Sequence, residues 1–233
     1  MKVLPLLKER EEWGKAFDFC LKFGSEGLLA PEILDAKKVF FAKTGASHEM
    51  KEEVYETASK TFLEWYLFDY PTRLFGKSPA VVLATLDSAP EEIRSWIQRS
   101  LHNRWSIFEV VEKNESYLVV DDLLSKVTRK IWVDQENVDS KVWRIAKGQI
   151  IQARLFALQS SDYLFLTHLW IHSDAEKDLM KEICKKVSPG WARPQGFLID
   201  AFESVIRSLD LHQQVRWSGR SNWLYQELKK RYA

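Results

Sequence analysis

The chain has 233 residues, of which 45% are hydrophobic and 13% aromatic, and its formal net charge is +1. A chain of this length and composition can bury a hydrophobic core, which excludes an intrinsically disordered protein. The near balance of acidic and basic residues argues against a general nucleic-acid or membrane-surface function.

The N-terminus does not resemble a targeting segment. Its short apolar run, residues 3–7, is followed directly by charged residues, which does not fit a signal peptide. No apolar run approaches the roughly 18 residues that are needed to cross a bilayer. We therefore expect a cytoplasmic protein that has no membrane partner.

The first hundred residues predict a series of helices. A first helix begins near Pro5 and is ended by Gly24 and Gly27. A second helix begins at Pro31, and Ser47 is predicted to cap a long third helix. The third helix ends in the densest aromatic stretch of the chain, Phe-Leu-Glu-Trp-Tyr-Leu-Phe-Asp-Tyr-Pro at residues 62–71.

Two shorter helices are predicted to follow. Ser78 and Pro79 open a short apolar helix. Ser88 and Glu91 have the spacing of a capping box, in which the Glu91 carboxylate would reach back to the backbone of the cap. The helix that this box would open carries its apolar residues on one face, which predicts a packed helix.

The middle of the chain predicts a compact β unit. Residues 113–116 and 159–162 have the polar composition of hairpin turns. Five strands with short connections indicate a small antiparallel β-barrel or a strongly curved sheet. The predicted strands are 107–112, 117–121, 127–133, 149–158 and 163–172.

Helices are predicted again after the last strand. Ser173 and Glu176 form a second capping-box pattern, and the helix behind it places Met180, Ile183 and Cys184 inward. The fold class is therefore α+β: N-terminal helices, a central small barrel, and C-terminal helices packed on it. We expect one integrated domain over 1–233, with 71–78 as the alternative boundary between a helical part, 1–70, and the β unit with its flanking helices, 79–233.

Two blocks of the sequence resemble a group of uncharacterised bacterial proteins. The first is the aromatic stretch 62–71, and the second comprises 108–111 (Phe-Glu-Val-Val), 119–125 (Val-Val-Asp-Asp-Leu-Leu-Ser) and 147–155 (Lys-Gly-Gln-Ile-Ile-Gln-Ala-Arg-Leu). Many members of the group carry a SEC-C motif, a small zinc motif named after the C-terminus of the SecA translocase. The resemblance covers about half of the chain and implies a helical part followed by a β unit.

The chain departs from that group in two respects. It lacks the Cys/His set of the SEC-C motif, so no metal site carries over. Ser125 and Lys126 stand where the group has a Thr-Gly turn. The group has no assigned biochemical function, so the resemblance bears on the fold and not on the activity.

Two pairs of residues are candidates for catalysis or metal binding. Asp121 and Asp122 are adjacent on a predicted strand, where neighbouring side chains point to opposite faces. His168 and His172 would lie about 13 Å apart on one face, at roughly 3.3 Å per residue, which is too far for one metal ion. We interpret the acids as residues that cap a turn or face solvent, and the histidines as packed or exposed residues.

Other signatures of catalysis or cofactor binding are missing from the sequence. It has no G-x-S-x-G elbow, no Walker-type phosphate loop and no G-x-G-x-x-G motif. Cys20 and Cys184 are far apart and lie in apolar stripes, so we interpret them as buried, reduced thiols. We expect no cofactor and no metal.

The C-terminal region interleaves cations and indoles. This mixture can bind a nucleic-acid backbone while stacking bases, or it can bind an anionic partner. The alternative is that the tryptophans fill gaps between helices while the cations are hydrated. The candidate binding residues are Trp191, Arg193, Arg216, Trp217 and Arg220.

The leading functional hypothesis is a non-enzymatic cytoplasmic binding protein. A protein partner is favoured over nucleic acid because the net charge is close to zero. One alternative is a nucleic-acid-binding protein that uses the C-terminal Arg/Trp surface. The other is a hydrolase whose site combines Asp121, Asp122 and a histidine. A contiguous exposed aromatic patch would indicate a protein interface.

Overall fold

The fold was determined as a computed structural model. It describes residues 3–45, 47, 49–133, 145–159, 164–172, 174, 177–186, 198, 201 and 230. Contacts within the chain define two compact units. The first comprises Met1–Phe40, Ser59–Asn103 and Phe156–Tyr163, and the second comprises Phe41–Ala58, Arg104–Leu155 and Leu164–Ala233. The expectation of one integrated domain stays a prediction.

The N-terminal part of the chain is helical, as the sequence predicts. The helices are α1 (Val3–Ser25), a single 3-10 turn (Gly27–Leu29), α2 (Ala30–Thr44), α3 (Glu52–Phe68), α4 (Pro79–Leu83) and α5 (Glu91–Ser100). The 3-10 turn follows α1 because Gly27 adopts a φ of +56°, a left-handed conformation that glycine enters without steric cost.

The predicted cap of the third helix is wrong. Ser47 lies before the helix, and its carbonyl accepts the N–H of Met50 at 3.2 Å in a turn. The first helical bonds run instead to the Lys51 carbonyl, from Val54 at 2.9 Å and Tyr55 at 3.0 Å. The turn therefore takes the place that the sequence assigned to the first turn of α3.

The predicted capping box of α5 is also wrong. The residue at the N-cap is Pro90, with no side-chain hydrogen bond to the helix terminus. Its extended backbone, with φ −53° and ψ 136°, places the helix start at the next residue. Glu91 pairs with Arg94 one turn along the helix and does not reach back toward Ser88.

An aromatic core fills the first unit where α3 ends. Tyr66 is fully buried, and its hydroxyl donates a hydrogen bond to the Gly24 carbonyl in α1. Phe62 and Tyr66 stack with ring centroids 6.1 Å apart. Gly24 lies inside α1, and a Cβ there would lie 3.1 Å from Leu67. The helix ends at Ser25, between Gly24 and Gly27 as predicted, and Gly24 also allows this close packing.

The second unit is built on a closed five-stranded barrel. The strands are β1 (Arg104–Lys113), β2 (Tyr117–Asp122), β3 (Thr128–Trp132), β4 (Ile150–Ala157) and β5 (Leu164–Ile171), and their order around the barrel is β1-β2-β3-β5-β4. Each predicted strand is confirmed.

One pair of the barrel strands is parallel, which the sequence did not predict. β1 pairs antiparallel with both β2 and β4, and β2 pairs antiparallel with β3, whereas β3 and β5 are parallel. The reason is the strand order. Because β4 returns to pair with β1, β5 lies beside β3 and runs in the same direction.

A β-bulge in β1 allows this strand to pair with both β2 and β4. The register with β2 shifts between Val110 and Glu112. Gly148 donates its N–H to the Val110 carbonyl at 2.7 Å, and the Gln149 carbonyl accepts the Val110 N–H at 2.9 Å. Gly148 has a φ of +83°, a left-handed conformation that glycine adopts without steric cost at this tight entry to the strand.

The barrel has an apolar interior and one covered outer face. The interior is lined by Phe108, Val110, Leu118, Val120, Ile131, Val133, Ile145, Ile151, Ala153, Leu155 and Leu169. Helix α6 (Lys177–Lys186) covers Ile107 and Ile150 on the outside with the predicted inward residues Met180, Ile183 and Cys184. The predicted capping residues Ser173 and Glu176 lie outside the described residues.

Candidate functional site

The C-terminal Arg/Trp surface cannot be placed in the fold. Trp191, Arg193, Arg216, Trp217 and Arg220 all lie outside the residues that the structure describes. The binding role predicted for them therefore stays a prediction.

The paired acids Asp121 and Asp122 point to opposite faces of β2. Asp122 is fully buried, whereas Asp121 lies on the outer face, where it accepts a hydrogen bond from Thr128 Oγ1 at 2.6 Å. The two carboxylates therefore do not form one acidic site. This arrangement is the one that the strand alternation predicts.

Asp122 anchors the turn between β2 and β3. Its Oδ1 accepts hydrogen bonds from Ser106 Oγ at 2.7 Å and from the N–H groups of Leu124 and Ser125 at 3.0 Å each. Its Oδ2 accepts one from Arg104 Nε at 2.9 Å. Burial acts to raise the pKa of Asp122, but the hydrogen bonds from Ser125 and Ser106 and the charge of Arg104 outweigh it and lower that pKa. Asp122 is an ionised structural residue.

His168 in β5 and His172, directly after β5, are both buried. His168 is 5% exposed and His172 is 2% exposed. Burial lowers the pKa of His172 to about 3, so its imidazole is neutral in the folded protein. Among the described residues no group of three His, Cys, Asp or Glu side chains is arranged to hold a metal ion.

Both cysteines are buried and free, as predicted. Burial raises the pKa of the Cys20 thiol and of the Cys184 thiol to about 12 each. A thiol with so high a pKa carries almost no thiolate at neutral pH and is a poor nucleophile.

An apolar groove lies on the surface of the first unit. It has a volume of about 510 Å³. Its walls are formed by the C-terminal end of α1, the 3-10 turn and one aromatic residue from the loop before α4. The lining residues are Phe19, Lys22, Phe23, Glu26, Gly27, Leu28, Leu29 and Phe75.

The groove exposes large apolar side chains to solvent. Leu28 is 79% exposed, Phe75 is 44% exposed and Phe19 is 38% exposed. Leu29, next to Leu28, is only 2% exposed and anchors the 3-10 turn in the core. A cluster of exposed apolar side chains around a concavity is a feature of protein-interaction surfaces.

The loop that carries Phe75 is held at both ends. The Thr72 N–H and hydroxyl both donate to the Lys77 carbonyl, at 3.1 Å and 2.9 Å. The Leu74 N–H donates to Glu32 Oε1 at 3.2 Å. These bonds fix the position of Phe75, so this wall of the groove is preorganised.

The outer face of β1 and β2 carries several acidic groups. Glu109 lies opposite Asp121 in the strand register and binds Lys181 Nζ at 2.6 Å. Glu112 accepts a hydrogen bond from the Tyr117 hydroxyl at 3.0 Å. Carboxylates on this face oppose the approach of a phosphate backbone.

The sequence of α1 contains an indication of the groove. It is hard to recognise because the main apolar stripe of the helix lies beside it. The buried stripe of α1 contains Trp13 and Cys20. Phe19 and Phe23 form a second apolar pair four residues apart, beside the first stripe. A helix with two apolar stripes buries one in its own core and leaves the other for another contact.

The chain was compared with protein-family models, with curated proteins and with solved structures. No family model, no curated protein and no solved structure matches this chain.

None of the described helices combines the length and apolar character needed to cross a membrane.

Proposed function

We propose that this chain is a non-enzymatic cytoplasmic protein that binds a partner protein through the apolar groove of its first unit. The observation that carries the proposal is the 79% exposure of Leu28 beside Phe19 and Phe75. Exposing such side chains in a cluster is costly in water, and a partner that covers them recovers the hydrophobic free energy.

The occupant that fits the groove best is an amphipathic helix of the partner. The walls present side chains and no unpaired strand edge, because the described lining residues belong to helices, turns and a loop. A partner strand therefore has no backbone to pair with, whereas a helix can insert apolar anchors at i, i+3 or i+4.

Two charged residues at the rim of the groove indicate which charges the partner helix should carry. Lys22 lies in the last turn of α1 and Glu26 directly follows that helix, and within the described residues neither side chain has an ion-pair partner. A helix with an acidic residue facing Lys22 and a basic residue facing Glu26 would complement both. Such rim charges set orientation and association rate more than affinity.

A small apolar ligand is a weaker fit to the same groove. Ligand pockets bury roughly 70–90% of a bound small molecule. Here three of the lining side chains are themselves more than one-third exposed. An open groove of this kind suits a macromolecular partner.

The resemblance to SEC-C-type bacterial proteins is part of this proposal. It supports a bacterial, cytoplasmic setting but names no partner. The nucleic-acid alternative rests on Arg193, Arg216 and Arg220 and is tested by alanine at these three positions. Loss of DNA or RNA binding in that variant would favour it.

The proposal is tested by affinity capture from nuclease-treated native lysate with matched variants. Leu28→Asp introduces a charge into the groove. Leu4→Asp introduces the same charge outside the groove, at a leucine of α1 that is 81% exposed. We expect a defined partner to be captured by the wild-type protein and by Leu4→Asp but lost with Leu28→Asp. Equal capture by both variants would contradict the proposal.

A further inference from the structure

Two arginines converge at one end of the barrel in the second unit. Arg104 on β1 lies opposite Leu155, and Arg129 on β3 lies opposite Val120. Both partners belong to the barrel interior. Because side chains opposite each other in an antiparallel pair share a face, both arginines lie on the inward side of the barrel wall.

Both arginines approach the same oxygen of Asp122. Arg104 Nε lies 2.9 Å from Asp122 Oδ2, and Arg129 Nε lies 3.8 Å from it. The second distance is an ion pair but too long for a hydrogen bond. Arg129 Nε is buried and has no hydrogen-bond acceptor.

Asp122 cannot neutralise both guanidinium groups. Its Oδ1 is already occupied by three donors, and its Oδ2 accepts the Arg104 hydrogen bond. Among these three described groups, two positive charges and one negative charge leave a net charge of +1. In the described part of the chain, no other ion pair or hydrogen bond is made by either arginine side chain.

In other described ion pairs, the positive charge is either matched by carboxylates or exposed to water. Arg94 contacts two carboxylates, those of Asp87 and Glu91. Lys38 and Arg73 share one carboxylate, that of Asp35, but their side chains are 80% and 73% exposed, so water solvates the surplus charge.

The side chains of Arg104 and Arg129 are only 37% and 27% exposed. A surplus positive charge withdrawn from water in this way favours a bound anion.

We propose that Arg104 and Arg129 bind a compact oxyanion, either inorganic phosphate or the phosphate group of a small monoester. The Nε hydrogen bond to Asp122 fixes the Arg104 guanidinium group, and the 3.8 Å ion pair holds the Arg129 guanidinium group beside it. Their outer N–H groups form the planar fork that matches phosphate oxygens. The anion would supply the second negative charge of the site. Asp122 and Ser106 position the arginines and do not contact the ligand.

The neighbouring surface limits the size of the anion. Asp121 and Glu109 lie opposite each other on the outer face of the same strands, β2 and β1. Glu109 is paired with Lys181, whereas the Asp121 carboxylate makes no ion pair in the described part of the chain. The Asp121 charge repels an extended polyanion that lies across this face more than a single phosphate bound at the arginines. The proposal is therefore for a small ligand and not for a nucleic acid.

The proposal is tested by isothermal titration calorimetry with potassium phosphate at constant ionic strength, using potassium chloride as the balancing salt. Arg129→Gln removes the charge and the fork, and Arg129→Lys keeps the charge without the fork. Arg94→Gln, which changes an arginine at another ion pair, is the control. We expect saturable binding in the wild-type protein and in Arg94→Gln. For Arg129→Gln we expect the Kd to rise by about tenfold or more, which corresponds to one lost charge-assisted contact.

Several outcomes separate the proposal from its alternatives. If no saturable heat appears with phosphate or with a phosphate monoester such as phosphoserine, the arginines only neutralise Asp122 and the proposal is wrong. Binding of the monoester but not of free phosphate assigns the ligand to the esters and supports the proposal. If Arg129→Gln fails to fold, Arg129→Lys decides, since a weakened Kd supports the fork and an unchanged Kd overturns it. Tighter, Arg129-dependent binding of single-stranded DNA would overturn the limit to compact anions.

Discussion

Glu32 Oε1 accepts a hydrogen bond from the backbone N–H of Leu74 at 3.2 Å, and this bond ties α2 to the loop that presents Phe75. Glu32 is only 9% exposed. The buried carboxylate thus holds one wall of the groove. The groove therefore depends on a specific long-range contact as well as on its exposed apolar side chains.

The first prediction concerns this contact. Glu32→Ala removes the acceptor, so we expect the Leu74 amide to lose its protection against hydrogen exchange and the protein to lose about 1–3 kcal/mol of stability. Glu32→Gln keeps an acceptor oxygen and removes a buried charge, so it should retain the protection. Hydrogen-exchange mass spectrometry of the 72–77 loop measures both variants. Equal protection in Glu32→Ala and the wild-type protein would contradict the assignment.

The second prediction concerns the close approach of α1 to α3. A Cβ at Gly24 would lie 3.1 Å from Leu67, 3.2 Å from Tyr66 and 3.3 Å from Pro79. We expect Gly24→Ala to destabilise the protein by about 1–3 kcal/mol through overpacking. Gly14→Ala in the same helix meets no atom within 4 Å and should stabilise by about 0.5–1 kcal/mol. Urea unfolding of the two variants gives the comparison, and equal signs would be inconsistent with it.

The third prediction concerns the turn after Asp122. Lys126 has a φ of +58°, a left-handed conformation that costs a residue with a Cβ about 1–2 kcal/mol. Lys126→Gly should therefore stabilise the protein by about 1 kcal/mol. Lys126→Ala loses the same side chain but keeps the strained backbone, so it should show no such gain. Thermal unfolding of both variants separates backbone strain from side-chain contacts.

The fourth prediction is a pH dependence that arises from His172. Its pKa is lowered from 6.5 to about 3 by burial, so the unfolded state binds a proton that the folded state does not bind in this range. Stability is therefore lost as pH falls from about 6.5 toward 3, by up to about 1.4 kcal/mol per pH unit.

The variant His172→Gln should have a smaller slope of unfolding free energy between pH 6.5 and 5 than the wild-type protein. Urea unfolding at several pH values measures this slope. His102→Gln, at an exposed histidine, is the control. Parallel slopes for the wild-type protein and His172→Gln would contradict a lowered pKa of His172 in the folded state.

The strands could be predicted because their alternation is local. The period-2 pattern places inward residues such as Leu118 and Val120 on one face, and the structure buries both completely. The order of the strands is not local. The parallel pairing of β3 with β5 is seen at Ile131 and Leu164. It depends on the pairing of β4 with β1, which places β5 beside β3.

Helix caps were predicted less well than helices. Ser47 and Ser88 have the chemistry of caps, but a serine can also lie in a turn before the helix, and both do so here. The correct starts depend on Lys51 and Pro90, which carry weaker cap preferences. Cap preference contributes only about 1 kcal/mol, so tertiary packing overrides it.

The two surfaces proposed for binding depend on contacts between distant parts of the sequence. Phe75 is held at the groove by the bond between Leu74 and Glu32, and the strand register brings Arg104 and Arg129 to the same oxygen of Asp122. No spacing in the sequence predicts either approach. The Asp122 turn, in contrast, follows from a local pattern of an acid before a short loop.

The most direct measurement of the groove's function is site-specific photo-crosslinking in cells. A photoreactive amino acid at position 28 lies in the groove, and the same group at position 4 lies at another exposed site on α1. We predict a discrete protein adduct from position 28 that is absent from position 4 and is mapped to an amphipathic helix of the partner. No protein adduct at position 28, or the same adducts at both positions, would contradict the account.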